Sequence, residues 1–167
     1  MVKTIRFLCL ILMCMFSCSV VFGQPTRAMF IPANMEWKDS PATEGLQIAK
    51  DAEIFIFDGN HSYSYVSGVL HRDKQTGVIS LCSGCGFSTR KGSWRASTSD
   101  QMQVRFRLAH SDIKTNRERK WTVEWWSLDK ATSPLNTTKL STSKGVLVPF
   151  VGLSNPDVLA SMLRDDN

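Results

Sequence analysis

Apolar and polar residues alternate with a period of two through much of the chain beyond residue 53, the pattern of half-buried strands. It is cleanest from Met102 to Leu108. There Met102, Val104, Phe106 and Leu108 point one way and Gln103, Arg105 and Arg107 the other, which predicts a strand with one wet face. Glu53 to Phe57 is a short, nearly continuous apolar run that stops at Asp58-Gly59-Asn60, a strong turn signal. Further strands are expected over Ala28–Ile31, Ser62–Leu70, Val78–Cys82, Gly92–Ser97, Trp121–Leu128 and Val146–Val151. Between them, His71–Gly77 reads as a polar turn and His110–Lys120 as a charged loop, while 131–145, rich in Ser, Thr and Lys, reads as an exposed loop. Residues 24–50 hold Pro25, Pro32 and Pro41 and read as irregular, with a helical turn over Glu44–Lys50 capped by Thr43. A short helix is predicted over 155–164: Asn155 caps, Pro156 takes the first helical position, and Val158, Leu159 and Met162 form its apolar face.

Closely spaced strands without long intervening helices predict an all-β, single-domain antiparallel barrel or sandwich of about seven or eight strands, with that short C-terminal helix. The Phe57-Asp58-Gly59 turn, the Tyr63/Tyr65 strand and the later Gly92-Ser93-Trp94 strand resemble small lipocalin-like barrels of bacterial envelopes. In those barrels Gly-x-Trp lies near the start, whereas Gly92-Ser93-Trp94 lies mid-chain. No functional residue is carried across on that basis.

The beginning of the chain adds the compartment. Lys3 and Arg6 precede an apolar run from Phe7 to Phe16, and small residues close the segment at Val21-Phe22-Gly23. This reads as a secretory signal peptide over 1–23, cut before Gln24. The apolar core is too short to span a bilayer, and Ser17, Cys18 and Ser19 interrupt it, so no transmembrane segment is expected after cleavage. A secreted or periplasmic, soluble protein is the expectation, in preference to a lipid anchor at Cys18. The presequence carries no acid, so its loss lowers the formal charge from +5 to +3, a balance too mild to suggest nucleic acid.

Cys9, Cys14 and Cys18 leave with the presequence, and only Cys82 and Cys85 remain. Thioredoxin-type chemistry needs the first thiol at a helix N-terminus, yet Gly86 to Gly92 is turn and strand material. The pair is therefore read as a disulfide bracing the loop between the Val78 and Gly92 strands, with redox chemistry or half a metal site as rivals. His61, His71 and His110 stand alone in the sequence, so no metal or other cofactor is assigned. No serine sits in a Gly-x-Ser-x-Gly elbow, and no catalytic residue is assigned.

Aromatic and basic residues supply the binding candidates. Trp121 and Trp125 share a strand face and are expected in the core. Trp126 falls on the opposite, wetter face with Thr122 and Glu124, either covered by the C-terminal helix or part of a binding surface. Arg105 and Arg107, with Arg90, Lys91 and Arg95 on neighbouring strands, form either a solvated face or a docking patch suited to anions. Tyr63, Tyr65 and Trp94 either line a small-molecule pocket or fill a barrel. Asn60-His61-Ser62 and Asn136-Thr137-Thr138 are glycosylation acceptors if the host is eukaryotic. Together these features predict an exported, non-catalytic binding protein that recognises an envelope or extracellular protein, or a small amphipathic ligand. The rival readings are an envelope-acting enzyme, whether a hydrolase or a thiol-active protein using Cys82 and Cys85, and a structural module of a secreted assembly.

Overall fold

The computed structural model describes residues 27–111, 120–130 and 133–164; the signal peptide expected over 1–23 lies outside them. The described elements are β1 (Arg27–Pro32), β2 (Lys38–Asp39), β3 (Leu46–Asp58), β4 (Ser62–Asp73), β5 (Ile79–Leu81), β6 (Ser88–Ala96), β7 (Gln101–Ser111), β8 (Thr122–Leu128), β9 (Leu140–Thr142), β10 (Gly145–Pro149) and α1 (Pro156–Arg164). Eight strands close an antiparallel barrel in the order β1, β3, β4, β6, β7, β8, β9, β10, and β10 pairs back with β1. Each barrel strand therefore lies beside the next barrel strand in the chain, an up-and-down barrel in which tight turns join β3 to β4, β6 to β7 and β9 to β10. β3 and β4 run on beyond the wall as a hairpin, Leu46–Ala49 opposite Leu70–Asp73, flanked by β2 and β5.

Closure requires strands to bend, and two devices supply the bend. The register shifts between Ala49 and Ala52 in β3 and between Thr89 and Arg90 in β6, which marks β-bulges. Gly92 supplies the second. A Cβ on Gly92 would sit 1.8 Å from the Arg105 carbonyl oxygen, so only glycine lets β6 and β7 press together there.

β3 is apolar on both faces because it is buried on both. Phe55 and Phe57 point into the barrel, where they meet Phe30, Tyr63, Trp94, Met102, Val104, Phe106, Trp126, Leu128 and Leu140. Ile54 and Ile56 point outward, into a second core with Val66, Leu70 and Leu81 that α1 covers with Leu159 and Met162. The near-continuous run Ile54-Phe55-Ile56-Phe57 is thus the signature of a strand between two cores. α1 is held at both ends. The Asn155 side chain donates to the Leu81 carbonyl and accepts from the Leu81 amide, at 2.8 and 2.9 Å. At the other end the Lys91 ammonium donates to the Leu163 carbonyl, a cation at the negative end of the helix.

Three local expectations are corrected. Glu44–Lys50 is not a helical turn: β3 begins at Leu46, because pairing with both β2 and β4 outweighs local helix propensity. The segment 24–50, read as irregular beyond the strand expected at Ala28–Ile31, also contains β2 and the start of β3, while the expected strand, β1, closes the barrel. The loop expected over 131–145 contains β9, whose Leu140 is fully buried, and the Thr137 hydroxyl ties the approach to it by bonding to the Asp129 amide and the Lys139 carbonyl. In addition, Asn155 does not cap α1 with its side chain, because that side chain is committed to the edge of β5.

Candidate functional site

The four predicted aromatic site residues all lie inside the barrel. Tyr63, Tyr65, Trp94 and Trp126 are buried among Phe55, Phe57 and Phe106, in edge and tilted ring contacts with centroids 5.1 to 6.4 Å apart. The cavity between Tyr63, Tyr65, Arg90, Phe106 and Trp126 measures about 10 Å³, room for a single water. The rings proposed to line a ligand pocket fill it themselves. A ligand chamber behind Tyr63, Tyr65 and Trp94 is therefore replaced by a packed interior.

At one end this interior turns polar. The Tyr65 hydroxyl donates to Glu53 at 2.6 Å, and the Trp126 indole N–H donates to Glu124 at 2.8 Å. The Arg90 guanidinium lies 4.7 Å from the Tyr65 ring and 5.3 Å from that of Phe106. Burial, reinforced by the Glu53 carboxylate, pushes the Tyr65 phenol well above its ordinary value, and burial does the same to Tyr63. Above this layer a hollow of about 290 Å³ opens to the surface, lined by Lys50, Asp51, Glu53, Phe55 and Lys144 among others. Its rim holds Asp51 at φ 53°, a left-handed conformation forced by the β3 bulge.

The outer wall differs more sharply from expectation. Trp126 faces inward and is 3% exposed, so it is not a surface residue. Trp121 and Trp125, expected in the core, face outward together with Val123, and the three are 49%, 55% and 49% exposed. The faces of β8 are thereby inverted. Glu124 made the Trp126 face look wet; in the fold its carboxylate stays at the open end of the barrel and accepts from the indole. Apolar residues on both faces of β8 were the signal for this ambiguity.

Arg105 and Arg107 are exposed on the same outer wall, as expected of the polar face of β7. Pairing sets Arg105 opposite Val123 and Gln103 opposite Trp125. The guanidinia of Arg105 and Arg107 lie 4.3 and 5.2 Å from the Trp121 ring. Neither has a carboxylate within 4.0 Å among the described residues. On β6, Ser93 stands opposite Arg105 and Arg95 opposite Gln103, which extends the basic flank; on the far side β9 offers Ser141 opposite Ser127. The wall thus presents one apolar strip with a cationic border on its β7 side.

Cys82 and Cys85 form a disulfide, with sulfurs 1.99 Å and Cα atoms 5.5 Å apart, in the turn that leads from β5 to β6. No helix begins there to activate a thiolate. His61 packs on the Trp94 ring at 4.6 Å, and His71 sits within β4. Among the described residues no three His, Cys, Asp or Glu side chains are grouped to hold a metal ion. Nor is any described helix long and apolar enough to cross a membrane. No known protein family, curated protein or solved structure matches this chain.

Proposed function

We propose that this chain is an exported, non-catalytic binding protein that docks an extracellular or envelope protein on the outer wall of β7 and β8. One observation carries the reading. Trp121, Val123 and Trp125 stand in a row, each about half exposed, on a barrel that packs Trp94, Trp126 and both tyrosines inside. Leaving two tryptophans in water runs against the drive that built the rest of the molecule, and exposed Trp with Arg is the composition of binding hot spots. β7 is paired with β6 and β8, whereas β8 pairs with β9 only at Ser127 and Leu128, so the proposed recognition rests on the exposed side chains of this wall. The filled interior speaks against the small amphipathic ligand inside the barrel. If such a ligand binds, the hollow at the open end is the place for it.

Site-specific photocrosslinking in the producing host tests the proposal. A crosslinker at position 125 is expected to give a discrete protein adduct, and one at exposed Asn60, on the β3–β4 turn, to give none. No adduct from position 125, or the same adduct from both positions, would remove the basis for this face.

A further inference from the structure

We infer that the β7–β8 wall receives an extended, acidic and apolar segment of its protein partner, oriented by Arg105 and Arg107; this rests on that wall being the binding face. The geometry supplies the argument. Trp121 and Trp125 are four residues apart on nearly straight backbone, about 13 Å, the span of about five extended residues. The strip is one strand wide, which suits a linear segment better than a globular face. Side chains two residues apart on such a segment match the spacing of Trp121, Val123 and Trp125.

Charge decides what lies beside those apolar contacts. Two guanidinia stack on one indole with no acid of the described chain to neutralise them, an arrangement that an incoming anion relieves. Stacking on Trp121 also restricts both arginines before binding, which reduces the entropy lost when a carboxylate arrives. Arg105 and Arg107 line the β7 side of the strip, and no β9 residue is paired with Trp121, Val123 or Trp125 on the other. One-sided charge orients a bound segment, a property that a fluid anionic lipid surface does not require. A carboxylate-bearing segment is therefore favoured over a membrane.

Titration of the intrinsic tryptophan fluorescence of the folded protein tests this, with four probes: seven-residue peptides alternating Glu with Leu, Lys with Leu and Glu with Ser, and phosphatidylglycerol vesicles. The Glu/Leu peptide is expected to bind saturably, with the other two peptides and the vesicles at least about tenfold weaker. R105Q/R107Q is expected to weaken the Glu/Leu peptide about tenfold and to flatten its salt dependence, with unchanged thermal unfolding because both side chains are exposed. Equal binding of the Lys/Leu peptide, an unaffected R105Q/R107Q, or preferential binding of vesicles overturns the inference. Crosslinking from position 125 separates the two levels. If that adduct persists in R105Q/R107Q, the face binds a partner but the acidic-segment inference fails; if position 125 yields no adduct at all, the docking proposal itself fails.

Discussion

Two adjacent tryptophans on β8 occupy opposite environments, and their substitutions are expected to separate accordingly. Trp126→Ala empties the barrel centre beneath Phe55, Phe57 and Tyr63 and is expected to cost about 3–5 kcal/mol. Trp125→Ala removes a ring already half in water and is expected to change stability by less than about 1 kcal/mol. Urea midpoints of the two variants decide it; comparable losses would place Trp125 in the core. Gly92→Ala is expected to be worse than an ordinary small-to-large change, at about 3 kcal/mol or more, because the new methyl meets the β7 backbone and not a movable side chain. A soluble Gly92→Ala protein with an unshifted urea midpoint would contradict the close approach. His61 shows a milder conflict: it holds φ 67°, where glycine is favoured, at the end of the β3–β4 turn, and stacks on Trp94.

One edge of the β3–β4 extension is β5, and the chain blocks it with its own linker to α1. Ser154 donates to the Ile79 carbonyl, and the Asn155 amide mimics a further strand against Leu81. Asn155→Ala removes two part-buried hydrogen bonds and is expected to cost about 1–3 kcal/mol. Hydrogen exchange locates the effect: the Leu81 amide is expected to lose protection while the Met102 amide, in β7, keeps it. Uniform loss across both strands would mean that α1 and the barrel unfold as one unit. The helix itself was readable from Pro156, Asp157 and the spacing of Leu159 and Met162. The task of Asn155 was not, because its partner Leu81 is 74 residues away.

At the scale of the whole molecule, the pH dependence of folding follows from which groups the barrel perturbs. Tyr63 and Tyr65 are held protonated in the folded state by burial, with Glu53 adding to the effect on Tyr65. In the unfolded chain both lose protons from about pH 10, so the folded state binds more protons above that value and stability falls as pH rises through it. Tyr65→Phe is expected to make this alkaline fall shallower; an identical fall would exclude Tyr65 as its source. On the acid side, hydrogen bonding from Lys74 holds the Asp39 carboxyl below its ordinary value, and bonds from Thr76 do so for Asp73. Their contribution is present above the ordinary carboxylate range and lost as pH falls through it, but both carboxyls lie at the surface, so this limb is expected to be slight. The disulfide closes only a short loop. C82S/C85S is therefore expected to lower stability by about 2 kcal/mol or less, as read from thermal unfolding, with the barrel intact.

The period of two along β7 and the turn at Asp58-Gly59-Asn60 were enough to establish an all-β antiparallel chain, because both signals are local. The Cys82–Cys85 bridge was legible too, since these are the two cysteines left after the presequence and no helix follows to activate a thiolate. Closure was not legible. It depends on β1 meeting β10, elements whose partner residues lie 115 to 119 positions apart, and on bulges that alternation alone does not mark. Nor was the side of β8 that faces inward. Thr122, Glu124, Trp126 and Leu128 compete almost evenly with Trp121, Val123 and Trp125 for the interior, and a strand's two faces differ only in what packs against them. Phe55, Phe57 and Tyr63 receive Trp126 inside the barrel, and that contact turns Trp121 and Trp125 out to the wall beside Arg105 and Arg107. Local chemistry in the sequence settled the class of fold; the long-range contacts of the barrel settled which aromatic residues became core and which became surface.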